Sequence, residues 1–178
     1  MAKNNKTYPL YDLWKNFYIN RIGENEFANV EQTGKLRAFI LDLHCFIDIQ
    51  MSGIIDKYIF GANPDYDIKY ALNDLQLYEL TFGKKISIIR KVSKEYKIKI
   101  NYKFLIWLNE ARNYLAHKFM IHKDSNKISY RGINLLKNES EKSIMKDFSQ
   151  LLETIDDLND KVKKKRNWKS ALREIVKL

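Results

Sequence analysis

Apolar residues recur every three or four positions along most of the chain, the spacing that places side chains on one face of an α-helix. The clearest stretch begins at Leu36 and predicts a helix of about six turns that ends near Gly61. Its apolar positions are Leu36, Phe39, Ile40, Leu43, Ile47, Met51, Ile54, Ile55 and Tyr58. A helix of this length is typical of an antiparallel helical bundle.

Similar stripes predict more helices on both sides of this long one. We expect them over residues 10–22, 67–79, 82–96, 104–119, 140–161 and, in a basic tail, 163–176. Thr81 and Ser140 are the predicted N-caps of the helices that follow them. Residues 23–34 are predicted to form a connection, and residues 124–132 a loop or small hairpin.

Composition agrees with a helical domain. The 178 residues are 45% hydrophobic with only 6 glycines and 2 prolines, which disfavours both disorder and a turn-rich β-fold. We predict an all-α, antiparallel bundle that forms one domain over residues 1–178, with its core at about 36–158.

The longest unbroken apolar run, Phe104 to Leu108, is far shorter than the ~20 residues of a membrane span. No apolar leader opens the chain, so we expect a cytoplasmic protein without membrane contact.

Few residues are suited to holding a metal. Cys45 is the single cysteine and is predicted to be a buried small hydrophobe, and a disulfide framework is excluded. His117 and His122 would project about 140° apart on a helix, and His44 is placed on the polar side of the long helix. We therefore predict no metal and no other cofactor.

Positive charge is concentrated in two segments. The net charge of +10 arises from 32 basic and 22 acidic residues, and residues 84–103 and 161–178 each carry eight basic residues against one acidic residue. This distribution suits a polyanionic partner such as RNA, although solvated helix faces would show it too. The residues predicted to attract RNA are Lys84, Lys85, Arg90, Lys91, Lys163, Lys164, Lys165 and Arg166.

The segment from Glu110 to His117 carries the residues best suited to chemistry. Asn113 and His117 are four positions apart on one stripe, while Arg112 projects toward the apolar side of the same helix. A guanidinium there either pairs with an acid of the chain or emerges at an interface or cleft. An arginine that holds a phosphate and a histidine that moves protons suffice for metal-free phosphodiester cleavage.

At these residues the chain resembles the HEPN (higher eukaryotes and prokaryotes nucleotide-binding) family. The family signature is R-x(4-6)-H, often with Asn after the Arg, and here it reads Arg112-Asn113-Tyr114-Leu115-Ala116-His117. The resemblance extends over about residues 36–158. Family members with an intact signature are typically metal-independent endoribonucleases, and many are toxins or abortive-infection effectors in bacterial antiphage defence. They generally act as homodimers in which two signatures meet at one cleft.

The resemblance implies roles for individual residues. His117 would be the general acid/base, Arg112 would bind the phosphate, and Asn113 would orient the site. Attack by the ribose 2′-OH would leave a 2′,3′-cyclic phosphate and would exclude DNA as a substrate. Phe119 occupies the position where toxins paired with nucleotidyltransferase antitoxins often carry a modifiable Tyr. We therefore expect an antitoxin or defence-system partner protein that acts by another chemistry.

Two other functions fit the same residues. One is a HEPN-like module that binds RNA or a protein without cutting, and the other is a structural helical subunit of a defence complex. Arg112 and His117 from two subunits meeting in an accessible cleft would favour the enzyme. A buried Arg112 paired to a carboxylate, with His117 isolated, would favour the alternatives.

Overall fold

The computed structural model describes residues 9–61, 80–117, 129–135 and 137–162. The predicted helix over residues 67–79 and the basic tail lie outside this part. The described elements are α1 (Pro9–Ile22), α2 (Glu24–Phe60), α3 (Phe82–Glu95), α4 (Tyr102–Ala116), β1 (Ser129–Tyr130), β2 (Ile133–Asn134) and α5 (Asn138–Lys161). The predicted helical class is confirmed, since the described part is mostly helical with one two-stranded sheet.

The long helix α2 begins earlier than predicted, so the expected connection over residues 23–34 is wrong. Gly23, with φ of 81°, separates α1 from α2, and the helix then continues without interruption. Phe27, Val30 and Thr33 recur every three positions and are buried, which gives this stretch a helical inner face. Intervening polar residues obscure that stripe in the sequence.

A single cluster of buried side chains holds the helices together. Helix α2 packs against each of the other four described helices, and α3 also packs against α4. Fully buried members include Ile40, Ile47, Met51, Ile88, Ile89, Phe104, Leu105 and Leu108. Burying one such side chain stabilises a fold by about 1.5–3 kcal/mol. The core therefore fixes how α2, α3 and α4 are placed relative to one another.

Polar caps define where α3 and α4 begin. The predicted cap Thr81 is confirmed, because its Oγ1 accepts a hydrogen bond from the Lys84 amide at 3.4 Å. Asn101 caps α4 in the same way, with Oδ1 3.2 Å from the amide of Phe104. Each cap satisfies an amide that has no partner within its own helix.

Helix α5 and the hairpin before it differ in part from expectation. Ser140 is not the cap, because α5 begins at Asn138 and the buried Ser140 hydroxyl donates to the Leu135 carbonyl at 3.1 Å. The predicted hairpin exists, with β1 and β2 antiparallel around Arg131 and Gly132. Both turn residues have positive φ, 53° and 80°, which is the geometry of a tight hairpin turn.

Two features of α2 bear on burial and location. Cys45 is exposed, so its predicted burial is wrong: Leu43 and Ile47 face the core while Cys45 and Phe46 face outward. The stretch Val30–Phe60 is long and apolar enough to cross a membrane by length and composition. Buried helices of soluble proteins pass the same test, so this is a weak indication, and the cytoplasmic location stays a prediction.

Candidate functional site

Three polar side chains emerge on one flank of α4. The buried stripe of this helix is Phe104, Leu105, Leu108, Ala111 and Leu115. Asn109, Arg112 and Asn113 are spaced by three and four positions, so they form a neighbouring stripe beside the core. The predicted position of Arg112 near the apolar side of the helix agrees with this placement.

These residues line a cleft of about 530 Å³ where α2, the start of α3 and α4 meet. Helix α2 contributes His44 and Asp48, and α4 contributes Asn109, Arg112 and Asn113. Leu80 and Thr81, which precede α3, also line the cleft, as do Phe82, Gly83 and Lys85 at the start of α3. The volume is within the range of sites that hold small ligands.

Arg112 is half-buried and is not paired with a carboxylate among the described residues. Its Nη1 donates a hydrogen bond to Oδ1 of Asn113 at 3.0 Å. Asn113 is neutral, so this bond orients the guanidinium without cancelling its charge. The cleft therefore contains the positive charge of a guanidinium whose orientation is set by this hydrogen bond.

Lys85, which is among the residues predicted to attract RNA, lies in the same cleft and is buried instead of exposed on the surface of α3. Its side chain is only 7% exposed, and its Nζ lies 2.8 Å from a carboxylate oxygen of Asp48. A buried ammonium requires such a partner because losing its hydration is costly. The Lys85–Asp48 pair joins α3 to α2 and contributes almost no net charge.

His44 is packed among these charged groups. Its ring stacks on that of Phe82, with centroids 4.0 Å apart, and its Nε2 is buried without a hydrogen-bond partner in the described structure. Burial lowers the pKa of His44, and the charge of Arg112 lowers this pKa further. A hydrogen bond with Asn109 and the charge of Asp48 oppose these effects, while Lys85 adds to them. The net effect lowers the pKa of His44 and favours the neutral imidazole.

His117 lies at a different place from Arg112 and Asn113. It is the C-cap of α4, it is exposed, and it is not among the residues that line the cleft. The end of α4 is tied to α2 by Arg37, whose Nε donates to the Leu115 carbonyl at 3.0 Å. Within one chain, the structure thus brings Arg112 and Asn113 together in the cleft and leaves His117 at the end of the helix.

The predicted RNA-attracting residues are only partly described. Lys84, Arg90 and Lys91 are exposed on α3, and the Arg90 guanidinium lies 4.8 Å from the ring centre of Tyr102. Lys85 is buried in its ion pair. The other four, Lys163, Lys164, Lys165 and Arg166, lie outside the described residues, as does Phe119.

Sequence reasoning missed the part of the cleft that α2 supplies. His44 and Asp48 are four positions apart on α2, and that spacing was the available signal for a polar patch on one side of the helix. Among the described residues, no three His, Cys, Asp or Glu side chains are grouped so that they could hold a metal ion. No protein-family model, curated protein or solved structure matches this chain.

Proposed function

We propose that the protein is a metal-independent endoribonuclease of HEPN type, which acts as a toxin or abortive-infection effector in bacterial antiphage defence. The observation that carries the proposal is the Arg112 guanidinium, which lines the cleft, is held by Asn113 and has no carboxylate partner among the described residues. A cation held in this way suits an anionic phosphate, and its charge would stabilise the negative charge that develops during cleavage.

The proposed reaction is attack of a ribose 2′-oxygen on the adjacent phosphorus. The bond from phosphorus to the 5′-oxygen breaks, and a 2′,3′-cyclic phosphate remains. Arg112 binds the phosphate, Asn113 orients Arg112, and His117 transfers protons. Because His117 is exposed at the end of α4, pairing of two chains would supply a shared cleft of the kind that the family resemblance implies.

A binding module without catalysis is the second candidate. The observation that favours it is that His117 is not among the residues lining the cleft that contains Arg112. Such a module would hold RNA through the same guanidinium and the exposed cations of α3, and it would leave the RNA intact.

A cleavage assay separates the two candidates. Total cellular RNA is incubated with the purified full chain in the presence of EDTA, and new RNA ends are mapped for 2′,3′-cyclic phosphates. We expect cleavage by the wild type, none by Arg112→Gln, and unchanged cleavage by Lys146→Gln, which removes an exposed charge from α5, outside both basic segments. Intact RNA with the wild type, together with tight RNA binding, would assign the binding module instead.

A further inference from the structure

Of the two basic side chains that line the cleft in the described part of the chain, one is paired with a carboxylate and the other is not. Asp48 is engaged with Lys85, whose side chain is almost completely buried, so that carboxylate and that ammonium offset each other. Arg112 has only the neutral Asn113 as its hydrogen-bond partner in the described part of the chain. Among the described residues, the positive charge of Arg112 therefore has no paired carboxylate at the wall of a cleft of about 530 Å³.

The start of α3 faces the same space. Thr81, Phe82 and Gly83 line the cleft, and the first turn of α3 contains no acidic residue. The leading amides of a helix carry partial positive charge and attract anions. These amides add to the charge of Arg112, so the anion preference does not rest on one group.

The charged groups around the cleft act on the pKa of His44. Three charged groups act on it, Arg112 from α4, Lys85 from α3 and Asp48 from its own helix, and Asn109 bonds to it. Arg112 and Lys85 disfavour a proton on the imidazole and Asp48 favours one. An anion bound at Arg112 would offset the effect by which the guanidinium lowers the pKa of His44. The negative charge of the anion would itself favour a proton on the ring.

We propose that the cleft binds a phosphate group at Arg112 and that His44 takes up a proton when the phosphate binds. The unpartnered Nε2 of His44 is the atom that receives this proton, with the hydrogen of the neutral ring on Nδ1. The inference relies on the proposed function only for the source of the phosphate, which is then the RNA backbone.

The linkage can be measured without any cleavage. The probe is a deoxydinucleoside monophosphate, which has one internucleotide phosphate, no 2′-OH to attack it, and no terminal phosphate that would itself titrate near pH 6. The chain has only 3 histidines, so their imidazole C–H signals can be followed by NMR and His44 assigned with His44→Gln. We expect the titration midpoint of His44 to rise by about one pH unit when the probe is saturating. Affinity for the probe should then rise about tenfold as the pH falls through that window.

Matched variants localise the effect. Arg112→Gln should abolish both the probe-induced rise and the tight binding, whereas Lys146→Gln, a loss of the same charge at an exposed position on α5 outside both basic segments, should preserve both. Arg112→Lys keeps a positive charge, so it should bind the probe more weakly and still show the rise at saturation. Circular dichroism checks that each variant is folded. If Arg112→Gln does not fold, the binding and titration of Arg112→Lys test the role of Arg112.

The outcomes separate this inference from the proposed function. A His44 midpoint that stays constant while the probe is bound, or wild-type binding by both Arg112 variants, would overturn the inference. Intact RNA in the cleavage assay would refute the nuclease yet leave a rising midpoint with the deoxy probe as support for the anion site. Inorganic phosphate serves as a second probe: equal affinity assigns the site to free phosphate, and weaker affinity assigns it to a nucleic-acid backbone.

Discussion

The ammonium of Lys85 on α3 lies 2.8 Å from the carboxylate of Asp48 on α2, 37 positions earlier in the chain. Lys85 is 7% exposed and Asp48 is 34% exposed, so the pair is at the inner edge of the cleft. This contact holds the start of α3 against α2 and thereby sets the position of His44 opposite α4.

Asp48→Asn is expected to destabilise the fold by roughly 3 kcal/mol, because it leaves the buried ammonium without its counter-charge. Urea denaturation measures the loss. Asp42→Asn, at an exposed position on the same helix, is the control and should change the unfolding midpoint little. Equal stability of the two variants would contradict a structural role for the pair.

His117→Ala is expected to abolish RNA cleavage while preserving the fold, because removing a proton-transfer group typically reduces a rate by about 10²–10⁴. His117 is exposed, so the melting temperature should barely move. Initial cleavage rates on a single RNA and thermal melts test both statements, and relief of growth inhibition in cells should accompany the loss. Cleavage by this variant at the wild-type rate would show that the assigned chemistry is wrong.

The protein is expected to form a homodimer through the face of α4. Ile106, an apolar residue that is 42% exposed on this helix, is the most direct position to test. Ile106→Lys should halve the mass measured by light scattering at micromolar concentration, whereas Met145→Lys, at a similarly exposed position on α5, should not. A wild-type protein that is monomeric under the same conditions would count against the shared cleft.

The basic tail is expected to govern RNA affinity but not the chemical step. Neutralising Lys163, Lys164, Lys165 and Arg166 should reduce the salt dependence of binding by about one unit of slope for each RNA phosphate that the tail no longer neutralises. Turnover at saturating RNA should remain nearly unchanged. Identical salt slopes for the wild type and the variant would mean that the tail has no electrostatic role.

Stability is expected to decrease in alkaline solution because of Tyr130. Burial and its hydrogen bond to Asp147 raise the pKa of Tyr130 to about 12, above the value of about 10 for an unfolded tyrosine. The neutral phenol therefore stabilises the fold fully below about pH 10, and this contribution is lost as the pH rises toward 12. Urea midpoints across this range should fall less steeply for Tyr130→Phe than for the wild type.

Some helix boundaries could be predicted from the residues next to them in the sequence, and others could not. Thr81 and Gly61 were predicted to mark helix ends, because a cap or a residue with positive φ acts on its own immediate neighbours. The polar stretch after Gly23 was misread as a connection, since its helical stripe rests on Phe27, Val30 and Thr33 alone. Ser140 was misread as a cap, because it lies inside the first turn of α5 and its hydroxyl donates to the carbonyls of Leu135 and Lys137 instead of accepting from an amide.

The sequence alone determined the helical class, the core face of α2 from Leu36 onward and of α3, α4 and α5, and the position of Arg112 at the edge of the α4 stripe, because all of these follow from a period of 3.6 residues. Only the tertiary structure decided that Lys85 is buried on Asp48, that His44 lies near Arg112 and that His117 is not among the residues lining their cleft. These relations depend on how three helices pack against one another. A helical period specifies which face is buried, but not which residue of another helix it will meet.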